Sequence, residues 1–130
     1  MTDENVKKKL LLVDDSTTIL MIEKTILKGE PYTVITAADG QDAVDKAVKE
    51  LPDLILMDVV MPRKNGFEAC SELRQNQATK NIPIILVTTR GEPYNVEAGF
   101  EAGCNDYVTK PLGKQELLEK IRNHVAVSHV

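Results

Sequence analysis

Tryptophan is absent from this sequence, aromatic residues make up 4% of it, and 130 residues include only two cysteines. Cys70 and Cys104 have no CxxC spacing and no histidine beside them at ligand spacing, which excludes a disulfide framework and a thiolate metal site. Both lie in segments that read as packed, so buried free thiols are expected, as suits a reducing cytosol. Long apolar runs are missing too: none approaches the ~20 residues that a helix needs to cross a bilayer. Met1–Lys9 is polar and charged, with no signal-peptide pattern. A cytoplasmic protein without membrane insertion is therefore expected. A basic excess is also lacking. The net charge is −4, and the one basic run, Lys7-Lys8-Lys9, reads as a solvated strand entry. Direct nucleic-acid binding is disfavoured on that balance. No GxGxxG or GxxxxGK loop follows the first apolar run, which disfavours nucleotide binding.

What is present is an alternation of short apolar runs with longer amphipathic stretches, the mark of repeated βα units and a parallel sheet. Strands are predicted at Lys9–Val13, Thr33–Ala37, Leu54–Met57, Ile82–Val87 and Asn105–Val108. Three are apolar nearly throughout, as when helices cover both faces of a sheet. A first helix near Ser16–Lys28 should bury Ile19, Ile22, Ile26 and Leu27 and end at Gly29. A second, capped by Asp39, should bury Ala43, Val44, Ala47, Val48 and Leu51. Asn65 and Glu68 form a capping box for the third. The fourth, near Pro93–Ala102, is weakened by Gly99, and the fifth, near Lys114–Val125, carries Leu117, Leu118, Ile121 and Val125. No linker or repeat divides the chain. It reads as one stand-alone domain over residues 1–130, with a polar tail at 1–8 and a C-terminal tail at 126–130.

Four of the predicted strands end on a reactive residue. Leu10-Leu11-Leu12-Val13 stops at Asp14-Asp15, and Leu54-Ile55-Leu56-Met57 stops at Asp58. Ile84-Ile85-Leu86-Val87 stops at Thr88, and Tyr107-Val108-Thr109 at Lys110-Pro111. Each alone has a bland explanation: Asp14-Asp15-Ser16 can cap a helix, Asp58 can form a turn, Thr88 can end a strand, and Lys110 can be a loop lysine. Together they share the crevice beyond the carboxyl ends of a parallel sheet, where ligands bind. Three converging carboxylates repel, and a hard divalent cation such as Mg2+ neutralises them. A carboxylate can take a phosphoryl group as an aspartyl phosphate. Mg2+, a Lys ammonium and a Thr hydroxyl supply the charge and hydrogen bond that such a transfer requires.

Over essentially its full length the chain resembles the receiver domain of bacterial two-component response regulators. The resemblance rests on Leu12-Val13-Asp14-Asp15-Ser16, on Pro52-Asp53-Leu54-Ile55-Leu56-Met57-Asp58, and on Met61-Pro62 with Asn65-Gly66. It continues through Pro83-Ile84-Ile85, Glu101-Ala102-Gly103 and Asp106-Tyr107-Val108-Thr109-Lys110-Pro111. It implies an α/β fold: a five-stranded parallel sheet of flavodoxin-like order in a (β/α)5 three-layer sandwich. It also implies that Asp58 is the phosphoacceptor and that Mg2+ is held by Asp15, Asp58 and the Val60 carbonyl, with Asp14 acting through water. Lys110, before a cis Pro111, would pair with a phosphoryl oxygen. Thr88 would move inward on phosphorylation and Tyr107 would turn from exposed to buried. That would remodel the face of the fourth helix, fifth strand and fifth helix, where an effector protein binds. The donor would be a phosphohistidine on a sensor histidine kinase or phosphotransfer protein, or acetyl phosphate. Isolated receivers serve chemotaxis and phosphorelays among other pathways.

Some positions depart from the pattern. Val60 has no polar side chain to align a water, Arg90 places a long cation by the opening, Thr89 stands where a smaller residue is common, and Leu112 replaces a frequent Phe. An altered phosphoryl lifetime is expected. Asp58-Val59-Val60 lacks the second carboxylate of an aspartyl-phosphate hydrolase, so the chain is expected to promote only its own phosphorylation and dephosphorylation. The alternative is a pseudo-receiver, folded alike but acting as a phosphorylation-independent interaction module.

Overall fold

The structure is a computed structural model that describes residues 7–89 and 93–125. Five strands alternate with five helices: β1 (Lys8–Val13), α1 (Thr17–Leu27), β2 (Tyr32–Ala37), α2 (Gly40–Glu50), β3 (Leu54–Asp58), α3 (Gly66–Gln75), β4 (Ile84–Thr89), α4 (Pro93–Ala102), β5 (Asp106–Lys110) and α5 (Lys114–Val125). The strands are all parallel, in the order β2-β1-β3-β4-β5. This is the flavodoxin-like sheet, and its order reverses between β1 and β3. Among the described residues no helix is long and apolar enough to cross a membrane.

Side chains alternate across the sheet and build two apolar layers. Leu11, Val13, Ile55, Met57, Ile84 and Leu86 pack with Ala43, Ala47, Ala69 and Leu73 of α2 and α3. Leu10, Leu12, Leu54, Leu56, Ile85 and Val108 pack with Ile26 and Leu27 of α1 and with Leu117, Leu118 and Ile121 of α5. Both faces are therefore covered, which explains why β1 and β3 are apolar without alternation.

Local chemistry sets the element ends. Ser16 caps α1, its Oγ accepting from the Ile19 N–H at 3.2 Å. Asp39 caps α2, and Asn65 with Glu68 makes the expected capping box on α3. Gly29 takes the positive φ of 88° that follows α1. Arg74 on α3 fastens the far end of the sheet: it donates to the carbonyls of Gly103, Ile82 and Lys80 and to Asn105 Oδ1.

Several sequence expectations need correction. β4 starts at Ile84, because Pro83 has no N–H to donate and the Ile82 N–H turns back to the Thr79 carbonyl. On α1 it is Glu23, not Ile22, that joins Ile26 and Leu27 inside, while Ile22 is exposed. Residues 23, 26 and 27 share one stripe at helical spacing, and 22 lies about 100° away from 23. Val48 and Leu51 are likewise exposed, since α2 buries Ala43, Val44 and Ala47 and ends with Leu51 in a left-handed cap. Gly99 is not merely a weak spot in α4. A Cβ there would lie 2.8 Å from Leu86 Cδ1, so its absence lets α4 approach the sheet. Arg90 and residues 126–130 lie outside the described residues, as does Met1 to Val6 of the tail, and the Thr89 side chain is also outside them.

Candidate functional site

The register gathers the reactive residues into one row. Val13 pairs with Met57, so Asp14 and Asp58 emerge side by side from β1 and β3. Asp58 stands opposite Val87, one residue before Thr88, and Thr89 pairs with Lys110. The Asp14 N–H donates to the Ala37 carbonyl at 3.1 Å, fixing where the carboxylates begin. Ser16, not an aspartate, takes the helix-capping role, which leaves Asp14 and Asp15 free for the crevice. The bond between Lys110 and Pro111 is cis.

One carboxylate oxygen each from Asp14, Asp15 and Asp58 lies within 4.8 Å of the others. Asp14 and Asp58 are buried and Asp15 is exposed. Lys110 Nζ is 3.0 Å from Asp58 Oδ1 and 3.8 Å from Asp14 Oδ2. Asp14 Oδ1 accepts the Ser16 N–H at 2.9 Å, whereas its buried Oδ2 has no hydrogen-bond partner among the described residues. Burial pushes the Asp58 carboxyl above the usual range, Asp14 and Asp15 add repulsion, and Lys110 offsets part of it. Burial also raises Asp14, against the opposing pull of the Ser16 N–H and Lys110. For Lys110 burial works the other way, but Asp58 and Asp14 outweigh it and hold the ammonium above its ordinary value. The site is short of positive charge.

That shortfall fits a hard divalent cation. The donors are all oxygen, they are close enough to share one ion, and Asp14 Oδ2 has no hydrogen-bond partner among the described residues.

Thr88, 2% exposed, keeps its Oγ1 without a hydrogen bond among the described residues. Tyr107 is half-buried. Its ring meets Phe100 edge-on at 6.2 Å, and Lys120 Nζ sits 4.8 Å from its centroid. Asp106 accepts from the Tyr107 N–H and binds Lys120 and His124, so β5 is tied to α5 beside the ring. The Val60 side chain is 72% exposed. Cys70 and Cys104 are both buried free thiols, pushed by burial to about 11 and about 12. They are inert at neutral pH.

The sequence reading overlooked Glu23. It is buried on α1, where burial, with the charges of Asp14 and Asp58 adding to it, raises its carboxyl to about 8. The available signal was spacing: a carboxyl three residues before Ile26 falls on the packed stripe.

A flavodoxin-like parallel sheet with an acidic triad, a lysine and a threonine at its carboxyl edge is the architecture of receiver folds. The family model described as the response regulator receiver domain matches residues 10–122. The chain is 38% identical to the alkaline phosphatase synthesis transcriptional regulatory protein PhoP of Bacillus subtilis, over 90% of this chain and 48% of that protein. It is also 38% identical to protein PilG of Pseudomonas aeruginosa, over 90% of this chain and 87% of that one. Among solved structures, the receiver domain of the sensor histidine kinase PA1611 of Pseudomonas aeruginosa superposes with a TM-score of 0.84 at 31% identity. That match covers 93% of this chain and 99% of that one, and that structure has a magnesium ion coordinated in its active-site cleft. The chain belongs to the response regulator receiver family of two-component signalling. It spans about half the length of several of the curated relatives it matches.

Proposed function

We propose that this chain is a phosphorylation switch in which Asp58 accepts a phosphoryl group and the change is read by a partner protein. The observation that carries the reading is the Asp58 carboxylate itself. It lies at the carboxyl end of β3, 3.0 Å from the Lys110 ammonium and beside Asp14 and Asp15. An Asp58 oxygen attacks phosphorus as the donor's P–N or P–O bond breaks, and the leaving group departs with the electron pair. The donor is the phosphohistidine of a sensor histidine kinase or phosphotransfer protein, or acetyl phosphate. Asp14, Asp15, Asp58 and the Val60 carbonyl are the groups that would hold Mg2+, which supplies positive charge for the phosphoryl oxygens when bound. Lys110 takes one of those oxygens. We take the chain as a single receiver domain working in the cytoplasm, and its only catalysis is of its own phosphorylation and dephosphorylation.

The output follows from charge. Phosphorylation adds about −1.5 to −2 charges and three strong acceptors at Asp58. Thr88 Oγ1, buried without a hydrogen-bond partner among the described residues, would donate to one of them. Its inward shift makes room for the Tyr107 ring, and the face of α4, β5 and α5 changes shape for an effector.

Beryllofluoride with Mg2+ tests this. The Tyr107 ring resonances are expected to move in the wild type. In Thr88→Val the ligand should still bind at Asp58, while the ring resonances stay within a small fraction of their wild-type shift. An unchanged Tyr107 in the fully ligated wild type would contradict the switch.

A further inference from the structure

The loop between β3 and α3 is tied down at both ends, and one tie comes from a side chain that the proposed reaction does not use. At the base, the Val59 N–H donates to the Val87 carbonyl at 3.2 Å and the Gly66 N–H to the Val59 carbonyl at 2.8 Å. Met61 is buried in the apolar layer under α2 and α3. At the far end, Arg63 reaches across to Asp39, the cap of α2. Its Nε and Nη2 both donate to Asp39 Oδ2, at 2.9 and 2.6 Å. The other oxygen, Oδ1, accepts the Asp42 N–H at 2.8 Å, so one carboxylate serves helix and loop at once. The next residues repeat the link in backbone: the Gly40 N–H donates to the Lys64 carbonyl at 3.0 Å. A Cβ at Gly40 would fall 2.1 Å from that oxygen, so the approach needs glycine. Arg63 itself has a φ of 66°, a left-handed value that non-glycine residues seldom adopt. The Asp39 side chain is 10% exposed and that of Arg63 65%. An ion pair with one partner so open to water adds little to stability. Its effect lies in where it puts the loop.

We propose that Arg63 is a positioning residue for the cation: its pair with Asp39 fixes the loop that carries the Val60 carbonyl. The effect on the cation rests on the reading above that this carbonyl is one of its ligands, but the fastening of the loop does not. A backbone carbonyl has no rotamer to adjust, so the loop alone sets its place. Groups that orient a metal ligand weaken metal binding when they are removed. Affinity for Mg2+ is thus set in part from α2, through a side chain that supplies no ligand itself.

The test uses three variants of the full chain. Arg63→Gly permits the same backbone angle without the side chain, Asp39→Asn keeps the cap of α2 but not the charge, and Arg63→Lys keeps the charge. Without divalent cation, NMR follows amide exchange at Gly40, whose N–H is bonded to the Lys64 carbonyl. Exchange there should quicken several-fold in Arg63→Gly and Asp39→Asn. Mg2+ is then titrated and its Kd read from the amide shifts of Asp15 and Asp58. Affinity should fall roughly tenfold in both variants, the low end for loss of a group that orients a ligand, and Arg63→Lys should recover part of it. The urea midpoint of Arg63→Gly should stay close to that of the wild type, whereas a merely structural role would move the midpoint and leave Kd alone. Either Arg63→Gly or Asp39→Asn suffices if the other folds poorly. Unchanged Gly40 exchange, or an unchanged Kd despite faster exchange, would overturn the proposal. A wild type that binds no Mg2+ would sink the cation reading instead, and Gly40 exchange would still decide whether Arg63 fixes the loop.

Discussion

Replacing Glu23 by Leu is expected to stabilise the protein, and by more at high pH than at low. The carboxyl sits at about 8 in the folded chain against an ordinary value of 4.5. A raised acid holds its proton in the folded state and loses it readily in the unfolded state. Its contribution to stability is therefore fully present below about 4.5 and is lost as pH rises towards 8. Integrated over that span, the wild type should lose on the order of 4 kcal/mol, with part of it offset by local hydration. Glu23→Leu removes the titration and also the buried Oε1, which has no hydrogen-bond partner among the described residues, a defect worth about 1–3 kcal/mol at any pH. Urea unfolding at pH 5.5, 7 and 8.5 without divalent cation should show a gap between variant and wild type that widens with pH. A constant gap would mean that Glu23 does not change charge on unfolding. Asp14 and Asp58 are raised in the same direction and remain in both proteins, so they cancel in the comparison.

Gly66→Ala should damage both the fold and the segment that carries Asp58. A Cβ at Gly66 would lie 2.4 Å from the Asp58 carbonyl oxygen and 2.9 Å from Val59 Cα. Those are backbone atoms of the segment that carries the acceptor, so no side chain can swing away to relieve the contact. The Gly66 N–H also donates to the Val59 carbonyl at 2.8 Å, tying α3 to that segment. A destabilisation of about 3 kcal/mol is expected, at the upper end for overpacking. Labelling of Asp58 should slow even where the variant is folded, because relief of the clash moves the Asp58 backbone. Gly113→Ala is the control, since a Cβ there meets nothing within 4 Å. It should shift stability by less than about 1 kcal/mol. Equal behaviour of the two variants in urea unfolding would contradict the close packing described at Gly66.

The sequence disclosed the strand ends well because two signals coincide there. A run such as Leu54 to Met57 can only be a buried strand once helices flank it, and the first polar residue after it must then sit at the sheet's edge. Asp58, Asp14, Thr88 and Lys110 were all legible in this way. The helix faces were harder. Reading α1 by its apolar letters chose Ile22 over Glu23, although the 3.6-residue period puts Glu23 on the stripe of Ile26 and Leu27. A carboxylate counts as a surface residue in any such reading, and the groups that act on it come from β1, β3 and β5, distant in sequence. Gly99 failed for a related reason: propensity counts its backbone freedom, while its value lies in a contact with Leu86 on another element. Arg74, with bonds to four residues beyond its own helix, had no local signature.

In the function proposed above, Asp58 accepts a phosphoryl group with help from Mg2+ and Lys110. Intact-mass spectrometry after incubation with Mg2+ and a phosphodonor tests it most directly, with acetyl phosphate and a phosphorylated histidine kinase each used in turn. One phosphoryl mass should be gained, and it should vanish in Asp58→Asn and when Mg2+ is chelated. A full gain in Asp58→Asn, or no gain from either donor in a folded wild type, would contradict the account and favour a phosphorylation-independent interaction module.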